Sequence, residues 1–322
     1  MTSAPTIHLL GEAEYERPDF TVMAEGLAFP DGPVAMPDGS VLLVELSKGL
    51  VSRVSAKGEV QPLAAAGTCL NGLAAGPDGL MYICNNGSAL PSEQPAAAAG
   101  GPDGADYLGG SIQTFDLATG ALKTLYDRCP GGLLSAPNDI VFDGAGGFYF
   151  TCLGKRHTRL RGFGGLYYAR ADGSEIREIA YPVFSPNGIG LSPDGRTLYY
   201  AETDGCRLWA YDIVEPGVLD KSGAGPDGSR LVATLGGYQK FDSLAVEASG
   251  NICVATLVSG TVTVFSPDGG LVRQVYFGDH FTTNICFGGP ERSTAYVTLS
   301  RGGRLVALDW GVPGLLLNHA PR

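Results

Sequence analysis

Residues 187 to 202 read NGIGLSPDGRTLYYAE, and variants of this phrase recur five more times along the chain. Each copy starts on a small polar residue, continues as a short apolar run, turns at Pro-Asp-Gly or a similar sequence, and ends in residues that favour β-strands. Each copy therefore predicts a β-hairpin. The other five copies are DGPVAMPDGSVLLVE from Asp31, NGLAAGPDGLMYICN from Asn71, NDIVFDGAGGFYFTC from Asn138, DSLAVEASGNICVAT from Asp242 and NICFGGPERSTAYVTL from Asn284.

A second strand signal follows each copy, such as TVTVFSPDGGLVRQVY after the fifth. Two hairpins make a four-stranded blade, so the six copies predict an all-β protein, a six-bladed β-propeller with four-stranded blades. The leading residues are 40, 67, 49, 55 and 42 positions apart, which matches or modestly exceeds the length of a propeller blade. We expect FTVMAE, residues 20 to 25, to pair with the last blade and so remove the open edge of the ring.

The whole chain, residues 1–322, is predicted to form this single propeller domain, with repeats beginning near residues 31, 71, 138, 187, 242 and 284. Residues 87–110 and 214–230 lengthen the spacing between repeats, and their composition predicts loops. The first insertion is either a flap over one face of the propeller or a tolerated surface insertion.

The composition excludes several classes of protein. The net charge of −11, with 33 acidic and 22 basic residues and no basic run, leaves nothing to neutralise nucleic acid. The N-terminus has no signal-peptide pattern and no apolar stretch is long enough to span a membrane, which predicts a cytoplasmic protein that binds neither membranes nor nucleic acid. The seven cysteines lack CxxC spacing and are expected to be reduced thiols in the core. A small-molecule ligand remains as the expected partner, and the oligomeric state stays open.

The leading residues of the six copies share one chemical property, because all are Asp or Asn. The first strand of each propeller blade lines the central channel, so these positions should form a ring around the axis. Turn chemistry alone could place Asp or Asn before glycine at Asp31, Asn71 and Asn187. It does not account for the other members of the ring, which precede Asp139, Ser243 and Ile285.

Carboxylate and amide oxygens that converge on one axis are typical ligands of hard cations. Ca²⁺ is the ion expected, with Mn²⁺, Mg²⁺ and Zn²⁺ as alternatives. The histidines fall outside the ring and are expected at the surface; they are His8, His157, His280 and His319.

Four of these phrases, in this order, resemble the gluconolactonase, regucalcin (senescence marker protein) and luciferin-regenerating family. They are AFPDGPVAMPDGSVLLVE, APNDIVFDGAGGFYFT, SPNGIGLSPDGRTLYYAE and FDSLAVEASGNICVAT, and the resemblance runs from about residue 20 to residue 318. It implies a six-bladed propeller whose metal ion is held by Asp31, Asn138, Asn187 and Asp242. It also implies that Asp242 is the general base, and we expect Asn71 and Asn284 to bind substrate hydroxyls.

The sequence departs from the family at two positions. The family usually has Glu where this chain has Asp31, whose side chain is shorter by one methylene. Regucalcin-like members carry an Arg that contacts substrate at the position of Ala136, so the resemblance does not carry the identity of their sugar to this chain.

The resemblance implies a metal-dependent hydrolase that opens a small lactone, either a sugar lactone or a related cyclic ester. The ion would polarise the carbonyl and an activated water would attack it. Two alternatives stay open. The same ion could serve phosphotriester or fluorophosphate hydrolysis, as in the more distantly related diisopropyl fluorophosphatase, or it could stabilise a non-catalytic binding propeller.

Overall fold

The repeated phrases form the two inner strands of six sheets that are arranged around one axis. A computed structural model describes residues 15–67, 69–87, 109–155, 159 and 161–321 of the chain. Within these residues the regular structure is β-strand, apart from one short 3-10 helix, Leu46–Lys48. The predicted six-bladed β-propeller is confirmed, with four strands in most blades.

The first half of the chain forms three blades. Strand β1 (Thr21–Ala24) precedes them. Blade 1 consists of β2 (Pro30–Ala35), β3 (Val41–Glu45), β4 (Leu50–Val54) and β5 (Val60–Ala65). Blade 2 consists of β6 (Leu70–Ala75), β7 (Met81–Asn85), β8 (Ser111–Phe115) and β9 (Leu122–Tyr126), followed by a small hairpin of β10 (Arg128–Cys129) and β11 (Gly132–Leu133). Blade 3 consists of β12 (Pro137–Phe142), β13 (Gly147–Cys152), β14 (Gly164–Arg170) and β15 (Ile176–Val183).

The second half forms the other three blades. Blade 4 consists of β16 (Pro186–Leu191), β17 (Thr197–Glu202), β18 (Arg207–Glu215), β19 (Val218–Leu219) and β20 (Arg230–Thr234). Blade 5 consists of β21 (Lys240–Val246), β22 (Ile252–Leu257), β23 (Thr261–Phe265) and β24 (Leu271–Tyr276). Blade 6 consists of β25 (Thr282–Gly288), β26 (Thr294–Leu299), β27 (Arg304–Asp309) and β1.

The ring closes in two ways. The first strand of each blade packs against the first strand of the next, and β25 returns to contact β2. Strand β1 pairs antiparallel with β27, so that Thr21 lies opposite Ala307. The predicted pairing of the N-terminal segment with the last blade is therefore confirmed. It covers a sheet edge that would otherwise present unpaired backbone groups.

The core is divided among the interfaces between neighbouring blades. Between blades 2 and 3, the Tyr82 ring lies 4.9 Å from the Phe142 ring and 5.5 Å from the Phe148 ring, centroid to centroid. The Tyr82 hydroxyl donates a hydrogen bond to the Ala171 carbonyl oxygen at 3.0 Å, so the one polar atom of this side chain is satisfied across the interface. Comparable apolar clusters join the other pairs of blades.

The segment predicted as a loop at residues 214–230 is not wholly a loop. Strand β18 continues to Glu215, and β19 folds back on it with Ile213 opposite Leu219. The turn between them is fixed by the Gly217 N–H, which donates to the Tyr149 hydroxyl at 2.9 Å, and Leu219 is buried. A hydrogen bond to Tyr149 of blade 3 and one buried leucine therefore hold this short strand in an otherwise polar segment. Of the other predicted insertion, residues 88–108 lie outside the described residues.

The C-terminal segment crosses the lower end of the channel. The Leu315 N–H donates to the Val246 carbonyl oxygen at 2.8 Å, and the Asn318 side chain donates to the Phe142 carbonyl oxygen at 2.9 Å. Between this segment and the ring lies an apolar chamber of about 140 Å³, lined by innermost-strand side chains such as Ile140, Ile189 and Leu244. The ring itself lies at the opposite, upper end of the channel, where the first strand of each blade begins.

All seven cysteines lie among the described residues, and no disulfide joins them. Five are buried and two are half-buried, as expected for thiols in the core. Within the described ranges, no helix has the length and apolar character needed to cross a membrane.

Candidate functional site

The structure brings the six leading residues of the repeats together around the channel. Each lies at the second or third position of the first strand of its blade. Five are buried and Asp242 is partly exposed; the buried ones are Asp31, Asn71, Asn138, Asn187 and Asn284. The turn interpretation of the Asp-Gly and Asn-Gly pairs at these positions is wrong, because the pairs lie inside strands.

The glycines that follow three of these residues allow the innermost strands to approach closely. A Cβ atom on Gly32 would lie 2.4 Å from the Asn71 carbonyl oxygen, and Gly32 also has a φ of +54°. A Cβ on Gly188 would lie 2.6 Å from the Leu244 nitrogen. Any larger residue would push neighbouring blades apart at the height of the ring. The glycines therefore set the diameter of the ring.

The six side chains interact in pairs across the blade boundaries. The Asn284 amide donates to Asp31 Oδ1 at 3.0 Å, and the Asn138 amide lies 3.5 Å from Asn71 Oδ1. Asn187 donates a hydrogen bond to the Asp242 carboxylate. The six side chains thus form three pairs, and each pair joins two neighbouring blades.

Both residues predicted to bind substrate hydroxyls are engaged inside the protein. Asn71 Nδ2 donates to the Cys69 carbonyl oxygen at 3.1 Å while its Oδ1 faces Asn138. Asn284 Oδ1 accepts a hydrogen bond from the Ile285 N–H at 2.8 Å, while its Nδ2 donates to Asp31. One donor and one acceptor of each side chain are committed to the ring itself.

The carboxylates of the ring are close enough to repel one another. Burial, and after it the charge of Asp31, raise the pKa of Asp242 well above its ordinary value, against a hydrogen bond from Asn187. Burial also raises the pKa of Asp31, against hydrogen bonds from Asn284 and from the Gly32 N–H. Lys240 opposes the shift of Asp242 but is itself paired with Asp204 at 2.9 Å. A cation at the ring would therefore stabilise the ionised forms of these carboxylates.

One polar atom in the ring lacks a hydrogen-bond partner. Asn187 Oδ1 is buried and has no hydrogen-bond partner, although the same side-chain amide donates a hydrogen bond to Asp242. The described residues contain no group of three or more His, Cys, Asp and Glu side chains arranged to hold a metal. A cation at the ring would therefore draw on amide oxygens as well as carboxylates. An orphaned amide oxygen beside the Asp242 carboxylate fits a hard divalent ion.

A third carboxylate, Asp139, lies at the ring, and the repeat pattern does not predict it. It accepts the Ile140 N–H at 2.9 Å, the Ile189 N–H at 3.4 Å and the Ser243 hydroxyl. These donors belong to the innermost strands of blades 3, 4 and 5, which carry Asn138, Asn187 and Asp242. Burial raises the pKa of Asp139 to about 7. The sequence contains the pair Asn138-Asp139, but the direction of the Asp139 side chain depends on a bulge in the strand between Pro137 and Ile140.

Asp139→Ala should weaken both the fold and ion binding. The substitution leaves buried donors without an acceptor, which costs about 1–3 kcal/mol for each group, and it frees three strands that carry ring residues. Asp143→Ala is the matched control. Asp143 is also buried and accepts the Ala145 and Gly147 N–H groups and the Tyr168 hydroxyl, at the lower end of blade 3. We expect similar losses of thermal stability but weaker calcium binding, by titration calorimetry, only for Asp139→Ala. Equal affinities would show that Asp139 has no role in positioning the ring.

The histidines take no part in the ring. His280 is exposed, as expected, and its ring nitrogen contacts the Val258 carbonyl oxygen. His319 is half-buried rather than at the surface, because it packs edge-on against the Phe142 ring at the lower end of the channel, 5.5 Å between centroids. His8 and His157 lie outside the described residues.

Comparison with known proteins gives matches over most of the chain. The family model for the SMP-30/gluconolactonase/LRE-like region matches residues 29–301. Lactonase drp35 of Staphylococcus haemolyticus is 26% identical over 279 residues, which cover 85% of this chain and 78% of that protein. Lactonase drp35 of Staphylococcus saprophyticus is 34% identical over 138 residues, covering 43% of this chain and 41% of that protein. The second match thus spans less than half the length of the relative.

Solved structures share the fold at lower sequence identity. Regucalcin from Agrobacterium tumefaciens, described as a calcium-binding protein, superposes with a TM-score of 0.72 at 20% identity, over 94% of this chain and 96% of that one. A gluconolactonase from Xanthomonas campestris superposes with a TM-score of 0.70 at 22% identity, over 90% and 89% of the two chains. At these identities the comparison supports the architecture.

Proposed function

Because the chain belongs to the SMP-30/gluconolactonase/LRE-like family, we propose that it is a metal-dependent hydrolase that opens a small lactone. The observation that carries this proposal is the orphaned Asn187 Oδ1 beside the Asp242 carboxylate. This arrangement places an oxygen that could bind a cation next to a carboxylate that can accept a proton. The curated relatives with lactonase activity in their names support the reaction class.

Four residues of this chain would hold the ion: Asp31, Asn138, Asn187 and Asp242. Their donors are all oxygens, which favours Ca²⁺, with Mn²⁺, Mg²⁺ and Zn²⁺ as alternatives. A bound divalent ion would supply a Lewis acid that polarises the lactone carbonyl.

Asp242 is the proposed general base. It is the ring residue with exposed surface, whereas the Asp31 carboxylate is buried and tied to Asn284 and Gly32. Asp242 takes a proton from water as the water oxygen bonds to the carbonyl carbon. The bond from that carbon to the ring oxygen then breaks, and the ring oxygen receives the proton from Asp242 to become the hydroxyl group of the product. Asn138 and Asn187 orient the carbonyl.

Removal of the ion should abolish turnover and lower thermal stability. Because folding raises the pKa of Asp31 and Asp242, their ionisation costs stability at neutral pH. This loss of stability disappears as the pH falls through the raised pKa values, because the carboxylates become protonated. A bound divalent ion offsets the same loss at neutral pH. At an ion concentration 100 times Kd, binding should add about 2.7 kcal/mol of stability.

The experiment measures metal content, melting temperature and hydrolysis rate after chelation and after add-back of Ca²⁺, Mn²⁺, Mg²⁺ or Zn²⁺. The substrates are a panel of lactones together with a phosphotriester. We expect one ion per chain and restored lactone hydrolysis with at least one ion. Full lactonase activity in metal-free protein would contradict the role of the ion. Hydrolysis of the phosphotriester alone would contradict the substrate class, and an ion that restores stability without any turnover would indicate a binding propeller.

A further inference from the structure

The apolar chamber in the lower part of the channel has no role in the proposed hydrolysis. Its volume is about 140 Å³. Each blade supplies a branched apolar side chain to its wall, one to three positions after the ring residue of that blade. These side chains are Val34, Leu73, Ile140, Ile189, Leu244 and Ile285. The same strands that form the ring of Asp and Asn residues therefore form the chamber.

The C-terminal segment, residues 313–321, forms the floor of the chamber. At its start the Gly314 N–H donates a hydrogen bond to the Arg292 carbonyl oxygen of blade 6 at 2.9 Å. Near its end the Asn318 side chain donates to the Phe142 carbonyl oxygen of blade 3 at 2.9 Å. The floor is thus attached to the propeller on two sides of the channel.

One polar atom of the floor lacks a hydrogen-bond partner. His319 Nε2 is buried and makes no hydrogen bond within the described part of the chain. The His319 imidazole lines the chamber and packs edge-on against the Phe142 ring, with centroids 5.5 Å apart. A buried polar atom without a partner is unfavourable, so a molecule that hydrogen-bonds to this nitrogen would be stabilised here.

The other side chains of the lining that carry nitrogen or oxygen already make hydrogen bonds. Asp139 and Asn284, at the upper end of the chamber, bond to groups of the innermost strands. Arg292 Nε donates to the Gly314 carbonyl oxygen at 3.2 Å. The lining is otherwise apolar, and His319 supplies the position at which a ligand would gain a hydrogen bond.

We propose that the chamber is a binding site for a small, uncharged molecule with one six-membered ring and one hydroxyl group, such as a phenol. An apolar cavity of about 150 Å³ stays free of water and accepts benzene, so the volume suits a single ring of this size. The apolar part of the ligand contacts Ile189 and Leu244, and its hydroxyl group meets His319 Nε2. A hydroxyl group can donate or accept, so it pairs with either tautomer of the imidazole.

Charged molecules do not fit this site, because a carboxylate or ammonium group would lose its water among apolar side chains. The site also lies apart from the carboxylates proposed to hold the ion. Binding in the chamber therefore depends neither on the ion nor on the proposed lactonase function.

The test is a calorimetric titration with phenol, toluene and benzoate, carried out on the calcium-loaded protein and again after chelation. We expect one phenol per chain with the same affinity in both states, and benzoate at least about tenfold weaker. Absence of phenol binding would overturn the proposal. So would benzoate binding more tightly than phenol, or phenol binding that requires calcium, since the latter would place the ligand at the ring of Asp and Asn residues.

The His319→Phe variant tests the hydrogen bond. Phenylalanine keeps an aromatic side chain beside Phe142 but lacks the nitrogen, so we expect phenol affinity to fall by about tenfold while toluene is unaffected. His280→Phe is the matched control, because His280 is exposed and does not line the chamber. An equal loss for phenol and toluene in His319→Phe would contradict the assignment of the hydroxyl group to His319.

The Ile189→Phe variant tests the location. The larger side chain fills the chamber, so we expect phenol and toluene each to bind at least about tenfold more weakly. Ile213→Phe is the control, since Ile213 packs on an outer strand of blade 4 and does not line the chamber. A cooperative melting transition shows that each variant is folded. Unchanged phenol affinity in folded Ile189→Phe would place the ligand elsewhere and overturn the proposal.

Discussion

Replacing Asp242 with asparagine should lower kcat for lactone hydrolysis by about 100-fold or more while the protein still folds and binds its ion. The amide oxygen of asparagine can face a cation as a carboxylate oxygen does, but the amide cannot accept a proton at neutral pH. Removing one of the mutually repelling carboxylates should also not destabilise the apo protein. The measurement combines steady-state kinetics with metal analysis and thermal melting of the same preparation.

Asp143→Asn is the control for this substitution. Asp143 is buried and hydrogen-bonded like the ring residues, but it lies at the far end of blade 3. We expect that variant to lose some stability and to retain its turnover per folded, metal-loaded molecule. If Asp242→Asn keeps its ion and most of the original rate, Asp242 is not the base, and proton transfer must be assigned to another group.

The architecture could be predicted because each blade repeats a local signal. In the phrase that begins at Asn187, an apolar run, a Pro-Asp-Gly turn and a β-rich run determine a hairpin without help from distant residues. Even the closing strand could be predicted, because the last blade takes only three strands from the C-terminal part of the chain and FTVMAE supplies the fourth. The short strand β19 could not, because it depends on Tyr149 holding the Gly217 turn from 68 residues away.

The membership of the ring followed from the repeat, but the interactions within it did not. Sequence spacing predicts that Asn71 and Asn284 belong to the ring. Their hydrogen bonds to Cys69 and to Asp31 depend on the folded structure and could not be predicted from that spacing. The repeat pattern does not predict Asp139 for a related reason. In a regular strand its side chain would point away from that of Asn138, and a bulge alters this alternation. Long-range contacts and local irregularities decide which polar groups remain for chemistry.

Asp31→Ala should lower calcium affinity by at least about 100-fold, because it removes a charged ligand from the proposed ion site. Both hydrogen bonds described for this carboxylate, from the Gly32 N–H at 2.8 Å and from Asn284 at 3.0 Å, reach Oδ1. They hold the side chain in place through Oδ1, so that an ion could be bound by Oδ2. Titration calorimetry with the metal-free protein measures the change directly.

Asp31→Glu separates direct ligation from a purely structural role. Glutamate is one C–C step longer, about 1.5 Å, and Ca²⁺ requires an oxygen at roughly 2.3–2.6 Å. If the carboxylate of Asp31 ligates the ion, the charge is kept in Asp31→Glu, and we expect affinity within tenfold of the original or tighter. If Asp31 served only to accept the Gly32 N–H and the Asn284 amide, alanine and glutamate would both disturb the strand without a selective effect on calcium. Unchanged affinity in Asp31→Ala would remove this position from the ion site, which would then have to be formed by Asn138, Asn187 and Asp242.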